Sequence, residues 1–251
     1  MRTHIVIALA ASLAGGQALA VDPPSCAVPD NLLFMDNTLT RVTAAVSKER
    51  RLAAVVLGTG SSTLTGVDGP NQAYPARLGQ ALGQMLPNVA VRVVSRAQGG
   101  QTADIMRRSM KDLLSDEKPN LVIWQTGTVD AIRRVEVDEF RVALETGVES
   151  LHAAGADVIL MNMQYSPRTE SMIAVAPYGD EMRAVAEQRG VPLFDRFAIM
   201  RYWADEGAFD FYAAGRNNDL ALRVHDCLGR ALASLIVGAG HLQAFVNKSG
   251  R

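Results

Sequence analysis

Residues 52–66 read LAAVVLGTGSSTLTG, an apolar run that passes directly into a turn of glycine and hydroxyl residues. The run 52–58 is continuous and contains β-branched valines, which is typical of a strand covered on both faces. Beyond the turn, residues 73–86 carry apolar side chains at helical spacing until Pro87 stops the pattern. This order predicts a strand, a tight turn and a helix, the repeating unit of a parallel α/β sheet.

The same alternation continues to the end of the chain. The predicted strands are 52–58, 89–95, 121–126, 157–163 and 191–194. The predicted helices are 73–86, 102–114, 138–153, one within 172–189, and 220–237. This pattern predicts an α/β fold, a three-layer α/β/α sandwich with a five-stranded parallel sheet. Sites in such sheets lie at the carboxyl ends of the strands, here the loops after Leu57, Val94, Gln125 and Met163.

The amino-terminal residues differ from the rest of the chain. Arg2 gives a positive start, residues 5–13 are apolar, and residues 18–20 read ALA, a small-residue cleavage signal. The apolar run is shorter than the roughly 20 residues that span a bilayer. We therefore expect a signal peptide, cleaved after Ala20, that exports the chain to the periplasm or outside the cell. Three segments are expected after it: a leader with one amphipathic helix at 21–50, a domain at 51–240 and a polar tail at 241–251.

The charge balance and the cysteine content limit which binding partners and which cellular compartment are expected. The chain has 25 Lys and Arg against 26 Asp and Glu, and the basic residues are scattered, so nucleic acid is not an expected partner. In an oxidising compartment Cys26 and Cys227 are expected to pair, with two separately buried thiols as the alternative. Neither cysteine has the spacing of a zinc ligand, and no metal or cofactor is expected. We expect a monomer without a membrane span in the mature chain.

The turn after the first predicted strand carries the chemistry. A serine between a strand end and a helix start has backbone N–H groups nearby, which suits a nucleophile and an oxyanion donor together. A plain hydroxyl-rich turn is the structural alternative. A phosphate-binding loop requires Gly-Lys-Ser or Gly-Lys-Thr, and the lysine is missing. The dinucleotide pattern Gly-x-Gly-x-x-Gly also fails, because Thr63 stands where its third glycine belongs.

Residues 60–66, GSSTLTG, resemble the first block of the SGNH/GDSL hydrolase family, G-D-S-x-T-x-G. The resemblance covers nearly all of the mature chain. It implies a flavodoxin-like SGNH fold and ester hydrolysis, with Ser61 in the aspartate place and Ser62 as the nucleophile. The glycine four residues after Ser62 supports this register, and Ser61 stays as the alternative nucleophile.

The second and third family blocks supply oxyanion donors. Gly100, in the stretch SRAQGGQT after the second strand, resembles the second-block glycine whose N–H binds the oxyanion together with that of Ser62. A simple Gly-Gly turn is the alternative. The third block is G-x-N-D in the family, and here it reads GTVD at 127–130. Because Val129 offers no donor, activity is expected to be weak unless another amide substitutes, since one lost donor costs roughly a hundred- to a thousandfold.

Four side chains are candidates for contacting the substrate. Gln125 and Asn162 lie at strand ends and carry amides. Asp130 belongs to the third block, although capping of the following segment is its default role. Tyr165 follows the fourth strand, where it lines an acyl or sugar pocket or packs into the core.

The general base of the family comes from a D-x-x-H block before the last helix. The mature chain has three histidines, His152, His225 and His241, and only His225 is close to that place. Leu222 stands three residues before it, so the nearest candidate for the orienting carboxylate is Asp219. A structural histidine within the helix is the rival interpretation. An alignment on the nearby cysteine even places Asp219 where the family has its histidine.

These features favour an exported serine ester hydrolase that acts on a small ester or an acetylated carbohydrate. In that hypothesis the catalytic set is Ser62, Gly100, His225 and Asp219. The alternative is a catalytically inactive module of the same architecture that binds a glycan or a protein partner, suggested by Val129 and by the broken histidine block.

Overall fold

A computed structural model describes residues 26–33, 36–212 and 218–246 of the chain. The predicted signal peptide at 1–20 and the last residues of the predicted tail lie outside these ranges.

The core of the fold is one parallel sheet of five strands, in the order β2-β1-β3-β4-β5. The strands are β1 Arg51–Gly58, β2 Ala90–Ala97, β3 Leu121–Gln125, β4 Asp157–Met161 and β5 Leu193–Phe194. In register, Val55 lies between Val94 of β2 and Val122 of β3. The predicted sheet is therefore confirmed, with bounds within two residues of the prediction for most strand ends.

Helices cover both faces of the sheet. They are α1 Thr40–Glu49, α2 Gly69–Gln72, α3 Tyr74–Met85, α4 Ala103–Glu117, α5 Thr128–Arg133, α6 Val137–Ala153, α7 Pro167–Met172, α8 Ala176–Arg189, α9 Arg196–Asp205 and α10 Asn218–Ala239. Three short 3-10 turns accompany them at Asp30–Leu32, Gly60–Ser62 and Gln243–Phe245. Helices α3, α4, α6, α8 and α10 match the five predicted after the first strand, and α1 lies within the leader at 21–50, where one amphipathic helix is predicted. Helices α2, α5, α7 and α9 are not among the predicted elements.

Alternate residues of β1 build two separate apolar layers. Val56 points into a cluster with α3, α9 and α10, whereas Val55 and Leu57 point into a cluster with α4, α6 and α8. This is why the strand is apolar at every position: both of its faces are buried. The predicted three-layer sandwich is confirmed.

The leader and the closing helix are joined covalently. Cys26 and Cys227 form a disulfide, as predicted, with their Cα atoms 5.1 Å apart. The Trp203 indole N–H also donates to the Ala27 carbonyl over 2.9 Å. Within the described ranges, no helix has both the length and the apolar character needed to cross a membrane.

Candidate active site

The serine turn, Gly60–Ser62, follows β1 at the carboxyl edge of the sheet. Ser62 is 0% exposed, and its hydroxyl donates to Gln125 Oε1 over 2.9 Å. The Tyr74 hydroxyl lies 2.8 Å away and donates to Ser62 Oγ, because the Ser62 proton is already used. Ser62 Oγ also packs so closely on Gly58 that a Cβ there would lie 2.2 Å from it. The Ser62 side chain therefore faces the interior of the protein.

Ser61 is the more accessible of the two serines. It is partly exposed, and its Oγ accepts a hydrogen bond of 3.0 Å from Arg196 Nη2. Arg196 Nη1 donates to the Ser61 carbonyl over 3.2 Å. Ser62, the nucleophile that the sequence favoured, therefore lies inside the protein, whereas Ser61 is partly exposed.

Gln125 organises the turn from the end of β3. Its Oε1 accepts from the Thr59 N–H over 3.0 Å, from the Thr59 hydroxyl over 2.9 Å and from Ser62. An amide oxygen has two lone pairs, so this acceptor is saturated. The oxygen of Gln125 is occupied by the protein, and it holds the turn in place rather than facing a substrate.

The second-block glycines lie across from the serine turn. The Gln98 N–H donates to the Gly58 carbonyl over 2.9 Å, which keeps the end of β2 beside the end of β1. Gly99 and Gly100 follow and are exposed, and Gly100 has a φ of 76° that favours glycine. A Cβ built on Gly60 would lie 3.9 Å from Gly99 Cα, so the residue next to Gly100 lies beside the serine turn.

His225 contacts the site through the backbone of Tyr74. It lies inside α10, is 8% exposed, and its Nδ1 accepts the Tyr74 N–H over 2.9 Å. Burial and the nearby charge of Arg196 lower the pKa of His225 to about 4. The imidazole is therefore neutral at pH 7 and carries its proton on Nε2. Ser62 bonds to Tyr74 and Gln125 instead, so the expected direct serine-histidine hydrogen bond is not among its contacts with the described residues.

Comparison with known proteins decides the family. The sequence model of the non-GDSL lipase-like family matches residues 25–241. This chain belongs to the non-GDSL lipase-like family. No curated protein matches the sequence.

Solved structures of related fold agree with this family. TesA is 23% identical, with 72% of this chain and 98% of TesA covered and a TM-score of 0.57. A putative lipolytic protein of the G-D-S-L family from Desulfitobacterium hafniense is 18% identical, with 74% and 99% covered and a TM-score of 0.56. The acetylxylan esterase Axe2 from Geobacillus stearothermophilus is 18% identical, with 73% and 94% covered and a TM-score of 0.58. Fold and family together support a hydrolase of the SGNH type, and the predicted family resemblance is confirmed.

In this member of the lipase-like family, Asp219 is not placed to orient His225 through Nδ1. The Tyr74 N–H already occupies that nitrogen. Asp219 is exposed near the start of α10, and six helical residues separate the two side chains, which puts them on different faces. The pairing of Asp219 with His225 stays a prediction. His152 lies near the amino end of β4, and His241 follows α10, so neither reaches the serine turn.

Three further predicted contacts of the lipase-like chain serve the fold. Asp130 is buried, and its carboxylate accepts from the Ala103 N–H at the start of α4 over 2.9 Å and from the Gly127 N–H at the start of α5 over 3.3 Å. Asn162 joins β4 to the start of α9 through Asp195 and the Phe197 N–H. Tyr165 is buried edge-on against two phenylalanine rings. These contacts give each of the three a structural role, and their assignment as substrate contacts stays a prediction.

Arg196 and Tyr74 are site residues that sequence reasoning did not single out. Arg196 is 1% exposed at the first position of α9, and burial lowers its pKa to about 10. Burial also raises the pKa of the Tyr74 phenol, which therefore stays protonated. A usable signal existed for Arg196: it stands in segment 194–203, which is rich in aromatic and aliphatic residues, and fully buried arginines are rare unless they have a specific role.

Proposed function

We propose that this chain is an exported ester hydrolase whose acyl transfer takes place at the serine turn. The observation that carries the proposal is the position of Ser61 and Ser62 at the carboxyl end of β1, directly across from the exposed Gly99 and Gly100. A small ester or an acetylated carbohydrate is the proposed substrate. The acetyl group is favoured because a related fold, Axe2, is an acetylxylan esterase.

In the proposed reaction, Ser62 Oγ forms a bond to the acyl carbon and the ester C–O bond breaks. The serine proton passes to His225 Nδ1, which must first release the hydrogen bond from the Tyr74 N–H, and from there to the departing alcohol; water then releases the acid. The N–H of Gly100 holds the negative charge that develops on the carbonyl oxygen. Ser62 must first rotate away from Gln125 and Tyr74, which costs two hydrogen bonds. The proposal needs no metal or cofactor.

Turnover is expected to be slow for two physical reasons. An imidazole with a pKa of about 4 is a weaker base than an ordinary histidine. Val129 also replaces the family's asparagine, so one side-chain donor to the oxyanion is absent from its usual place.

Hydrolysis of p-nitrophenyl acetate by residues 21–251 tests the proposal. We expect Ser62→Ala to abolish turnover and Ser61→Ala to reduce it, because Ser61 shapes the same turn. Ser234→Ala, an exposed serine of α10, is the matched control and keeps the wild-type rate. Equal rates in the wild type and the Ser61→Ala/Ser62→Ala double variant contradict the hydrolase. If Ser61→Ala alone abolishes turnover, the nucleophile is Ser61.

Export is tested separately by the amino-terminal sequence of the protein recovered from the periplasm or medium. Cleavage after Ala20 supports the proposal, and an intact Met1 in the cytoplasm contradicts it.

The second candidate is a non-catalytic module that binds a glycan or a protein partner. Burial of Ser62 and the occupied Nδ1 of His225 favour it. A fluorophosphonate probe distinguishes the two candidates, because a competent serine is labelled and a buried one is not. Inertness toward the probe together with measurable glycan binding supports the module, whereas labelling of Ser62 supports the hydrolase.

A further inference from the structure

Open space lies over three glycines, Gly60 of the serine turn and Gly99 and Gly100 after β2. We call this space the glycine cleft. All three are exposed. A Cβ built on Gly60 would have only Gly99 Cα within 4 Å, and one built on Gly99 would meet nothing. Two backbone segments that follow different strands therefore form a surface that no side chain of the described residues covers.

A positive charge stands at the rim of the glycine cleft. A Cβ built on Gly100 would lie 3.7 Å from Nη2 of Arg133, an exposed residue in the last turn of α5. Among the described residues, no carboxylate forms a salt bridge with Arg133. Its guanidinium is therefore available to a ligand on the cleft.

A second positive charge lies behind the wall of the cleft. Arg196 is buried, yet its described partners are the carbonyl and the hydroxyl of Ser61 rather than a carboxylate. Its Nε is also buried and makes no hydrogen bond to the residues that the structure describes. A buried cation without a counter-ion is costly, and an anion bound nearby would lower that cost.

The Ser61 hydroxyl connects Arg196 to the exposed side of the turn. Because its oxygen accepts a hydrogen bond from Arg196, the Ser61 hydroxyl must donate its own proton to a different acceptor. The two neighbouring acceptors, Gln125 Oε1 and Thr59 Oγ1, both lie 3.4 Å away, which is long for a hydroxyl donor. Gln125 Oε1 is already saturated by shorter bonds. The Ser61 proton, polarised by a guanidinium, is thus available to a ligand oxygen.

We infer that the glycine cleft binds a small carboxylate, held by Arg133 at the rim and by the Ser61 hydroxyl, backed by Arg196, at the wall. The two cations and the hydroxyl donor specify an anionic oxygen ligand. The choice of a carboxylate rests on the proposed function, because ester hydrolysis releases an acid at this place. Binding itself does not require turnover.

Titration of acetate into residues 21–251 at low ionic strength, followed by amide NMR shifts, tests the inference. We expect Arg133→Gln to weaken acetate binding about fivefold, the effect of one exposed charge pair. Ser61→Ala is expected to weaken it as well. Arg51→Gln, the same charge change at the opposite end of β1, is the matched control and leaves the affinity unchanged. Acetamide, the neutral analogue, is expected not to bind.

Arg196 is tested with Arg196→Gln and Arg196→Lys after their folding has been checked by the amide spectrum. Loss of binding in the glutamine variant, with partial recovery in the lysine variant, supports the inference; if both misfold, Arg133→Gln and Ser61→Ala decide alone. Unchanged affinity in Arg133→Gln and Ser61→Ala, or binding of phosphate but not acetate, overturns it. If the protein binds acetate but hydrolyses no ester, only the proposed function is contradicted. If it hydrolyses the ester but does not bind acetate, only this inference is contradicted.

Discussion

At the scale of single residues, Gly58 controls where the Ser62 side chain lies. The missing Cβ of Gly58 is the space that Ser62 Oγ occupies, and Gln125 Oε1 lies on the same side, 3.3 Å from a Cβ built there. Gly60, two residues later, faces the open cleft instead. Neighbouring glycines in one turn therefore have opposite roles: one allows a buried contact and the other keeps a surface clear.

Gly58→Ala is expected to lower the free energy of unfolding by about 1–3 kcal/mol, because the new methyl group overlaps Ser62. Gly60→Ala, which meets nothing closer than 3.9 Å, is the matched control and is expected to change stability little. Urea denaturation of both variants measures the difference. Equal stability of the two alanine variants would contradict the packing of Ser62 on Gly58.

His225 predicts a pH dependence of stability at the same scale. Its pKa is lowered from 6.5 to about 4, so the unfolded chain binds more protons between these values. Stability is then lost as the pH falls from about 6.5 to about 4, by up to roughly 3 kcal/mol from this group.

The measurement is the urea midpoint at pH 7 and at pH 5. His225→Asn, whose amide oxygen can accept the Tyr74 N–H, is expected to remove most of the His225 contribution to the difference. His241→Asn changes an exposed histidine, and this variant is expected to keep the wild-type difference in urea midpoint. A pH dependence that is the same in all three proteins would exclude His225 as its source.

At the scale of elements, the site depends on the contact between α3 and α10. Tyr74 begins α3 and His225 lies in α10, so their hydrogen bond requires that the two helices approach closely. Gly229 permits this approach, because a Cβ there would lie 2.6 Å from Arg77 Cβ and 2.8 Å from the Leu78 nitrogen. The position of the imidazole is thus set by a glycine one helical turn away.

Gly229→Ala is expected to push α10 from α3 and to cost about 1–3 kcal/mol of stability. Gly83→Ala lies on the exposed side of α3 with nothing within 4 Å, and it is expected to stabilise the helix by about 0.5–1 kcal/mol. Thermal denaturation measures both, and an NMR shift of the Tyr74 amide reports the helix displacement. A stabilising Gly229→Ala would show that the helices do not meet there.

At the scale of the whole molecule, the disulfide joins the two ends of the described chain. Cys26 precedes the sheet and Cys227 lies in the last long helix, at a sequence separation of 201. The chain-entropy account attributes the stabilisation to the unfolded state, whose freedom the long loop restricts.

Cys26→Ser is expected to lower the free energy of unfolding by about 2–4 kcal/mol while the fold is retained. Cys26 is the better site for this change because it is only partly buried, whereas Cys227 is in the core. Dithiothreitol is expected to lower the melting temperature of the wild type to that of the variant and to leave the variant unchanged. A wild type that is insensitive to the reductant would contradict the role of the bond.

Local sequence patterns determined the fold class of this protein, its sheet and the disulfide pair. A strand that is buried on both faces must be apolar throughout, and an amphipathic helix must repeat its apolar residues at helical spacing, so both are visible without a partner. The serine turn was visible at the end of the first strand, since sites in parallel sheets lie at the carboxyl ends of the strands. Gly100 was indicated by the resemblance to the second family block.

Only the tertiary structure decided which way the serines and the histidine face. Ser62 is turned inward by the space over Gly58 and by Gln125 and Tyr74, which come from other parts of the chain. His225 accepts a backbone N–H instead of bonding to a serine. Hydrogen bonds between residues distant in sequence depend on how whole elements pack, and no local period records that packing.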